Sequence, residues 1–217
     1  DVRDASGSYP AVFGWDISKI GQQPFNIDSV DFEKMKNWIR RAYQMGGINT
    51  ISWHIDNPVT GGDSWDNTPA VYSVLPGGEN HEWYKEKLDL FADFLNDLSV
   101  DGVQVPVIFR PFHEHTGNWF WWGRGNCTSE EYTAMWQFTV NYLKNEMKIH
   151  HLLYAYSTDR FKSQEDYLEF YPGDDFVDVI AYDDYHSIKT LDAKPELIRQ
   201  LTTIVRLAEE RGKIAAL

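Results

Sequence analysis

A single cysteine, Cys127, in 217 residues rules out an internal disulfide and any metal site built from several thiolates. Positive charge is also scarce, with 20 Lys and Arg against 33 Asp and Glu, a formal net charge of −13. Nucleic acids and anionic membranes attract basic faces, so the balance disfavours both as partners. A neutral ligand is indifferent to it. No apolar run approaches the ~20 residues of a membrane span. No signal-peptide pattern opens the chain, and no Met begins it. No Gly-x-Gly-x-x-Gly fingerprint follows the first strand-like segment, which weighs against a dinucleotide-binding sheet.

Aromatics, by contrast, are abundant: 9 Trp, 12 Tyr and 12 Phe. Many must serve the core, but Trp65 in TGGDSWDN and Trp119 in TGNWFWW sit in polar, Gly-rich segments. Cleft-lining aromatics beside carboxylates and amides suit a ligand with apolar faces and polar edges, which is the shape of a sugar.

Short β-rich runs alternate with longer amphipathic ones. Strands are predicted over 11–17, 48–54, 105–114, 151–159, 177–186 and 213–217. Helices are predicted over 31–45, 82–98, 128 to about 147, and 195–211, with a shorter one around 163–171. The signals are Gly46-Gly47 as a C-terminal stop, a Thr128-x-x-Glu131 capping box, Pro195 at a first helical position and Gly212 as a final stop. Mostly apolar strands alternating with helices indicate an α/β protein with a parallel sheet. Polar and aromatic residues recur at the strands' C-terminal ends: Asp16, His54, His113 with Glu114, Asp159, and Asp183 with Tyr185. Catalytic residues of a (β/α)8 TIM barrel gather at that rim, so a barrel is favoured over an open doubly wound sheet. A complete barrel has eight strands in roughly 250 residues. Six are found here, so the expectation is one catalytic barrel domain over residues 1–217, truncated at both ends.

The segment RPFHEHTGNWFWWG, residues 110–123, concentrates the chemistry. A carboxylate at Glu114 beside an indole-rich loop is partly desolvated, which raises its pKa and keeps a proton available for cleaving an acetal. The alternative is a structural ion pair with Arg110. His54, His113 and His115 with Asp56 are alternative metal ligands, although Gly117 stands where a His-Glu-x-x-His motif needs its second histidine. Asp183-Asp184-Tyr185 is either a turn of solvated acids or a set of active-site contacts. Asn126-Cys127-Thr128 matches a glycosylation sequon, which has meaning only in a eukaryotic secretory pathway.

On that segment the sequence resembles glycoside hydrolase family 26, best known for endo-β-1,4-mannanases. AVFGWD, GINTISWHIDNPVTGGDSWD, VPVIFRPFHE and VDVIAYDDYH resemble family segments in the same order. The resemblance implies a (β/α)8 barrel, a retaining double displacement, and neither metal nor organic cofactor. It implies that Glu114 is the acid/base and His113 a neighbour hydrogen-bonding within the site. Trp119 would lie under the sugar at the cleavage point, His54 and Asp183 would contact sugar, and Tyr185 and Arg110 would adjoin the nucleophile. It places these residues on strands two to seven of eight, with the nucleophilic glutamate expected just beyond Leu217. The implied substrate is β-mannan (mannan, galactomannan or glucomannan) or manno-oligosaccharide. The alternatives are mixed-linkage β-glucan, β-1,3-xylan, or carbohydrate binding without catalysis. A monomer acting as a secreted, periplasmic or cell-surface enzyme is expected.

Overall fold

A computed structural model describes residues 2–187, 189 and 191–217. After a short helix α1 (Val2–Ser6), β1 (Val12–Asp16) leads into α2 (Phe32–Gln44), and β2 (Ile48–Ser52) follows. Next come α3 (Val71–Val74), α4 (His81–Asn96), the small strands β3 (Ser99–Val100) and β4 (Val103–Gln104), and β5 (Val107–Arg110). Then α5 (Ser129–Asn141), which runs on as one π-helical segment, precedes β6 (Leu152–Thr158), α6 (Gln164–Leu168), β7 (Val179–Tyr182), α7 (Lys194–Arg211) and β8 (Ile214–Ala216).

Six strands form one sheet in the order β1-β2-β5-β6-β7-β8, and every neighbouring pair is parallel. Each crosses to the next through a helix, as the alternating pattern predicts for barrel units. The helix boundaries follow the sequence signals. Asp31 caps α2 by accepting from Lys34 N, and the Thr128 box makes both of its reciprocal bonds. Gly212 ends α7 in the left-handed conformation at φ 64°. The apolar stripe Leu88, Phe91 and Leu95 of α4, continued by Leu98 just past its end, is wholly buried. Burial of such side chains contributes about 1.5–3 kcal/mol each. Trp53 packs between Phe91 and Phe109, at 5.8 and 6.4 Å between ring centres. Residues alternate between the two faces of the sheet. Ile180 and Tyr182 of β7 join the large core beneath the helices, while Val179 and Ala181 meet Ala155 and Ile108 on the other face.

Two features depart from the sequence expectation. Residues 99–104 form an antiparallel hairpin turning at Asp101 (φ 52°) and Gly102 (φ 78°), for which the Asp-Gly pair is a strong local signal. The strand expected over 105–114 is regular only over Val107–Arg110. Pro111 has no N–H to give to a ladder, and the chain then turns with Phe112 at φ 47° and Glu114 at φ 57°. His113 and Glu114 therefore lie in a strained turn just past the strand.

Candidate active site

The C-terminal ends of β1, β2, β5, β6 and β7 lie along one edge of the sheet, because the parallel register pairs Asp16 with Ser52, Ser52 with Arg110, and Thr158 with Tyr182. The turn carrying Glu114 is tied to the next strand, since Glu114 N donates to Ser157 O at 2.9 Å. Left-handed backbone at a residue with a Cβ is strained and persists only where the surroundings hold it, and such strain clusters at functional sites. The carboxyl end of Glu114 is fixed too, with Trp119 Nε1 donating to Oε2 at 3.0 Å. Gly117 makes that approach possible: a Cβ there would stand 2.2 Å from the Trp119 ring.

Burial lifts the Glu114 carboxyl above its ordinary pKa, and the nearby Asp183 charge lifts it further; the Trp119 hydrogen bond and Arg110 oppose this without cancelling it. Arg110 is occupied elsewhere. Its Nη1 donates to Asp183 Oδ2 at 2.8 Å, and Ser157 Oγ donates to the same oxygen at 2.9 Å. The ion pair considered for Glu114 thus belongs to Asp183.

His54 is held as firmly. Its Nδ1 lies 2.8 Å from Asp16 Oδ2, which also accepts from Ser52 Oγ at 3.0 Å. Burial would raise the Asp16 carboxyl, but the hydrogen bonds from His54 and Ser18 outweigh it and leave it below the usual range. An ionised Asp16 only accepts, so Nδ1 carries a proton toward it and Nε2 is left to meet a ligand. The ring stacks on Trp65 at 5.0 Å with 7° between planes, and stands edge-on to His113 at 4.7 Å. His113 is buried and its pKa is driven down by burial and by Arg110; its Nδ1 has no partner among the described residues. Tyr185 is 59% exposed, and its phenol is pushed up by burial and by the charges of Asp183 and Glu114. A cavity of about 350 Å³ opens beside His54 and Arg110, lined also by Asp16, Ser52 and Asn26.

A carboxyl of raised pKa at the rim, an indole and a histidine stack beside it, and an arginine–carboxylate pair behind it suit cleavage of an acetal. The whole chain, residues 1–217, matches the sequence profile of Glycosyl hydrolase family 26. The chain belongs to that family. It is 36% identical over its full length to a mannan endo-1,4-beta-mannosidase of Bifidobacterium adolescentis, of which it covers 23%. It superposes over its full length on a family 26 beta-mannanase from Bacteroides ovatus with a TM-score of 0.94 and 40% identity, covering 64% of that chain. It likewise matches a modular endo-beta-1,4-mannanase from Cellulomonas fimi, with a TM-score of 0.91 and 35% identity over 50% of that chain. The family 26 chain described here therefore spans less than two thirds of the length of each.

Several expectations are redrawn by the side chains. Of the indoles in the 119–122 run, Trp121 and Trp122 are core, not sugar platforms. They are wholly buried and donate to Ile55 O and His113 O, each at 3.0 Å. Only Trp119 of the three is partly open. Of the metal alternative's residues, only His54 and His113 meet; the others are engaged elsewhere. Asp56 is paired with Lys19 and Gln22, and His115 is enclosed by tyrosines. Among the described residues no group of three or more His, Cys, Asp or Glu is arranged to hold a metal ion. Asp184 builds its own turn, accepting from His186 N and Ser187 N. Burial pushes the Cys127 thiol up to about 12, as does the Glu131 charge, so it is unreactive. Asp16, noted only as a strand-end acid, is the group that orients His54. Ser157 carried no sequence signal, because its contact with Asp183 follows from strand register alone.

Proposed function

We propose that this chain carries the acid/base side of an endo-acting β-mannanase site, cleaving β-1,4-mannosidic bonds in mannan, galactomannan or glucomannan by a retaining double displacement. The observation that carries the reading is Glu114, a half-buried carboxyl whose pKa is raised by burial and which is fixed in a strained turn by Trp119. The names of its family 26 relatives support mannan as the polymer. In the first step Glu114 gives its proton to the departing sugar oxygen, and in the second it takes one from the attacking water. Trp119 presents its ring to the sugar's apolar face while its N–H holds Glu114. His54 offers Nε2 to a sugar hydroxyl and Asp183 offers its free carboxylate oxygen. On this reading the nucleophilic glutamate follows the strand that ends at Ala216, and Arg110 and Tyr185 face it. No cofactor takes part. A polymer of this size is met outside the cytoplasm, so we assign the protein to the secreted, periplasmic or cell-surface enzymes and expect it to act as a monomer. Among the described residues no helix is long and apolar enough to cross a membrane.

The test is hydrolysis by the intact protein of glucomannan, mixed-linkage β-glucan and β-1,3-xylan, with the first-formed anomer followed by NMR. Release of reducing ends from glucomannan as the β-anomer is expected. Preference for either other polymer changes the substrate, α-anomer product rejects the double displacement, and oligosaccharide binding without cleavage makes the protein a lectin-like member of the family.

A further inference from the structure

Directly behind the Glu114 turn lies a hydrogen-bond chain one proton short. His115 is buried, with Nδ1 3.2 Å from the Tyr132 hydroxyl and Nε2 2.9 Å from the Tyr156 hydroxyl. Each hydroxyl also meets a backbone carbonyl: Tyr132 donates to Phe112 O and Tyr156 donates to Tyr167 O, both at 2.9 Å. Four contacts need four protons. Two hydroxyls and a neutral imidazole hold three. The ring is neutral, because burial and the neighbouring Arg124 charge pull its pKa down to about 3. Arg124 is the cation facing this cluster and is itself paired with Asp166 and Glu169, each at 2.8 Å. With Tyr132 donating to Phe112 O and Tyr156 to Tyr167 O, the neutral ring has a single proton to share between its two hydroxyl contacts.

What this chain grips is the backbone on both sides of Glu114. Phe112 O is held from α5 by Tyr132, and the ring of His115 is held between α5 and β6. The segment between those anchors contains both left-handed residues, Phe112 and Glu114. Its conformation is one that isolated chain avoids, so it depends on being tied at both ends. We propose that His115 is a positioning residue for Glu114, locking the strained turn through Tyr132 and Tyr156 so that the carboxyl stays half-buried against Trp119. This rests on the reading of Glu114 as acid/base.

His115→Phe tests it. The variant keeps an aromatic ring among Tyr132, Tyr156 and Phe170 and orphans no donor, because each hydroxyl retains its carbonyl. In the intact protein, turnover of mannan should fall by roughly 10–100-fold with KM changed by less than about threefold, the pattern of a misplaced catalytic group. Released from its buried position, Glu114 should titrate closer to an ordinary carboxyl. The basic limb of kcat/KM should therefore move to lower pH, and NMR titration of the labelled Glu114 carboxyl should move the same way. Tyr156→Phe, which removes one anchor, should act in the same direction and more weakly; it carries the test if His115→Phe does not fold. A native melting curve with unchanged turnover and unchanged Glu114 titration overturns the proposal. So does an equal loss on substrates with good and poor leaving groups. The NMR titration does not depend on the substrate. A wild-type protein inactive on mannan therefore sinks the mannanase reading, while the Glu114 shift still decides the role of His115.

Discussion

Arg110, the last residue of β5, and Asp183, just past β7, stand 2.8 Å apart, and their pairing leaves Glu114 without a cation of its own. Burial raises the Glu114 carboxyl most; the Asp183 carboxylate adds a repelling charge, and Arg110 opposes it as a weaker attracting one.

Asp183→Asn removes the negative charge while keeping an oxygen for Arg110. The ionised form of Glu114 then becomes less costly, so its pKa falls. The protonated donor is lost at lower pH, and the basic limb of the kcat/KM profile should move toward acid. A pH series on glucomannan measures this; a shift toward alkali would contradict the assigned electrostatics.

Trp119→Phe should do the opposite to the same limb. The indole N–H stabilises the carboxylate of Glu114, and its loss lets burial and Asp183 raise the pKa further. The limb moves toward alkali. A phenyl ring keeps part of the apolar face, so the accompanying fall in kcat/KM should be about tenfold, corresponding to ~1.4 kcal/mol. Measuring both variants on one substrate makes the pair of opposite shifts a single test.

The tryptophans around the site separate stability from binding. Trp122 is wholly buried and bonds His113 O, so Trp122→Ala should cost about 3–5 kcal/mol in denaturant unfolding. Trp65 is 50% exposed and packs one side of its ring on His54 and Phe120, so Trp65→Ala should cost far less, about 1 kcal/mol or less. Its effect should instead fall on oligosaccharide affinity, read by calorimetry.

The contrast between those two tryptophans also marks how far the sequence could be read. Strand order, helix ends and the rim positions of His54, Glu114 and Asp183 were legible because they rest on period, capping chemistry and a residue's place at the end of a run. Trp65 and Trp119 stood out because they lie in polar surroundings. Trp121 and Trp122 were not separable from Trp119, since which indole turns inward depends on the turn at Phe112 and Glu114, and left-handed backbone at such residues has no sequence signal. The Asp16–His54 and Arg110–Asp183 pairs join residues 38 and 73 positions apart. Only the strand register brings them together.

Glu114→Ala carries the mechanism. In the intact protein it should cut turnover on mannan by roughly 10²–10⁴, the usual contribution of a positioned acid or base. The loss should depend on the leaving group. An aryl mannoside with a good leaving group departs with little protonation, so its first step should survive. Deglycosylation would still be slow, because no base remains to activate water, and a glycosyl-enzyme should accumulate as a burst of released phenol. A small anion such as azide attacks without base help and should partly restore turnover, giving a β-glycosyl azide. Unchanged mannan hydrolysis would remove Glu114 from the mechanism. Equal losses on good and poor leaving groups, without azide rescue, would mean that the residue serves the strained turn and not the proton.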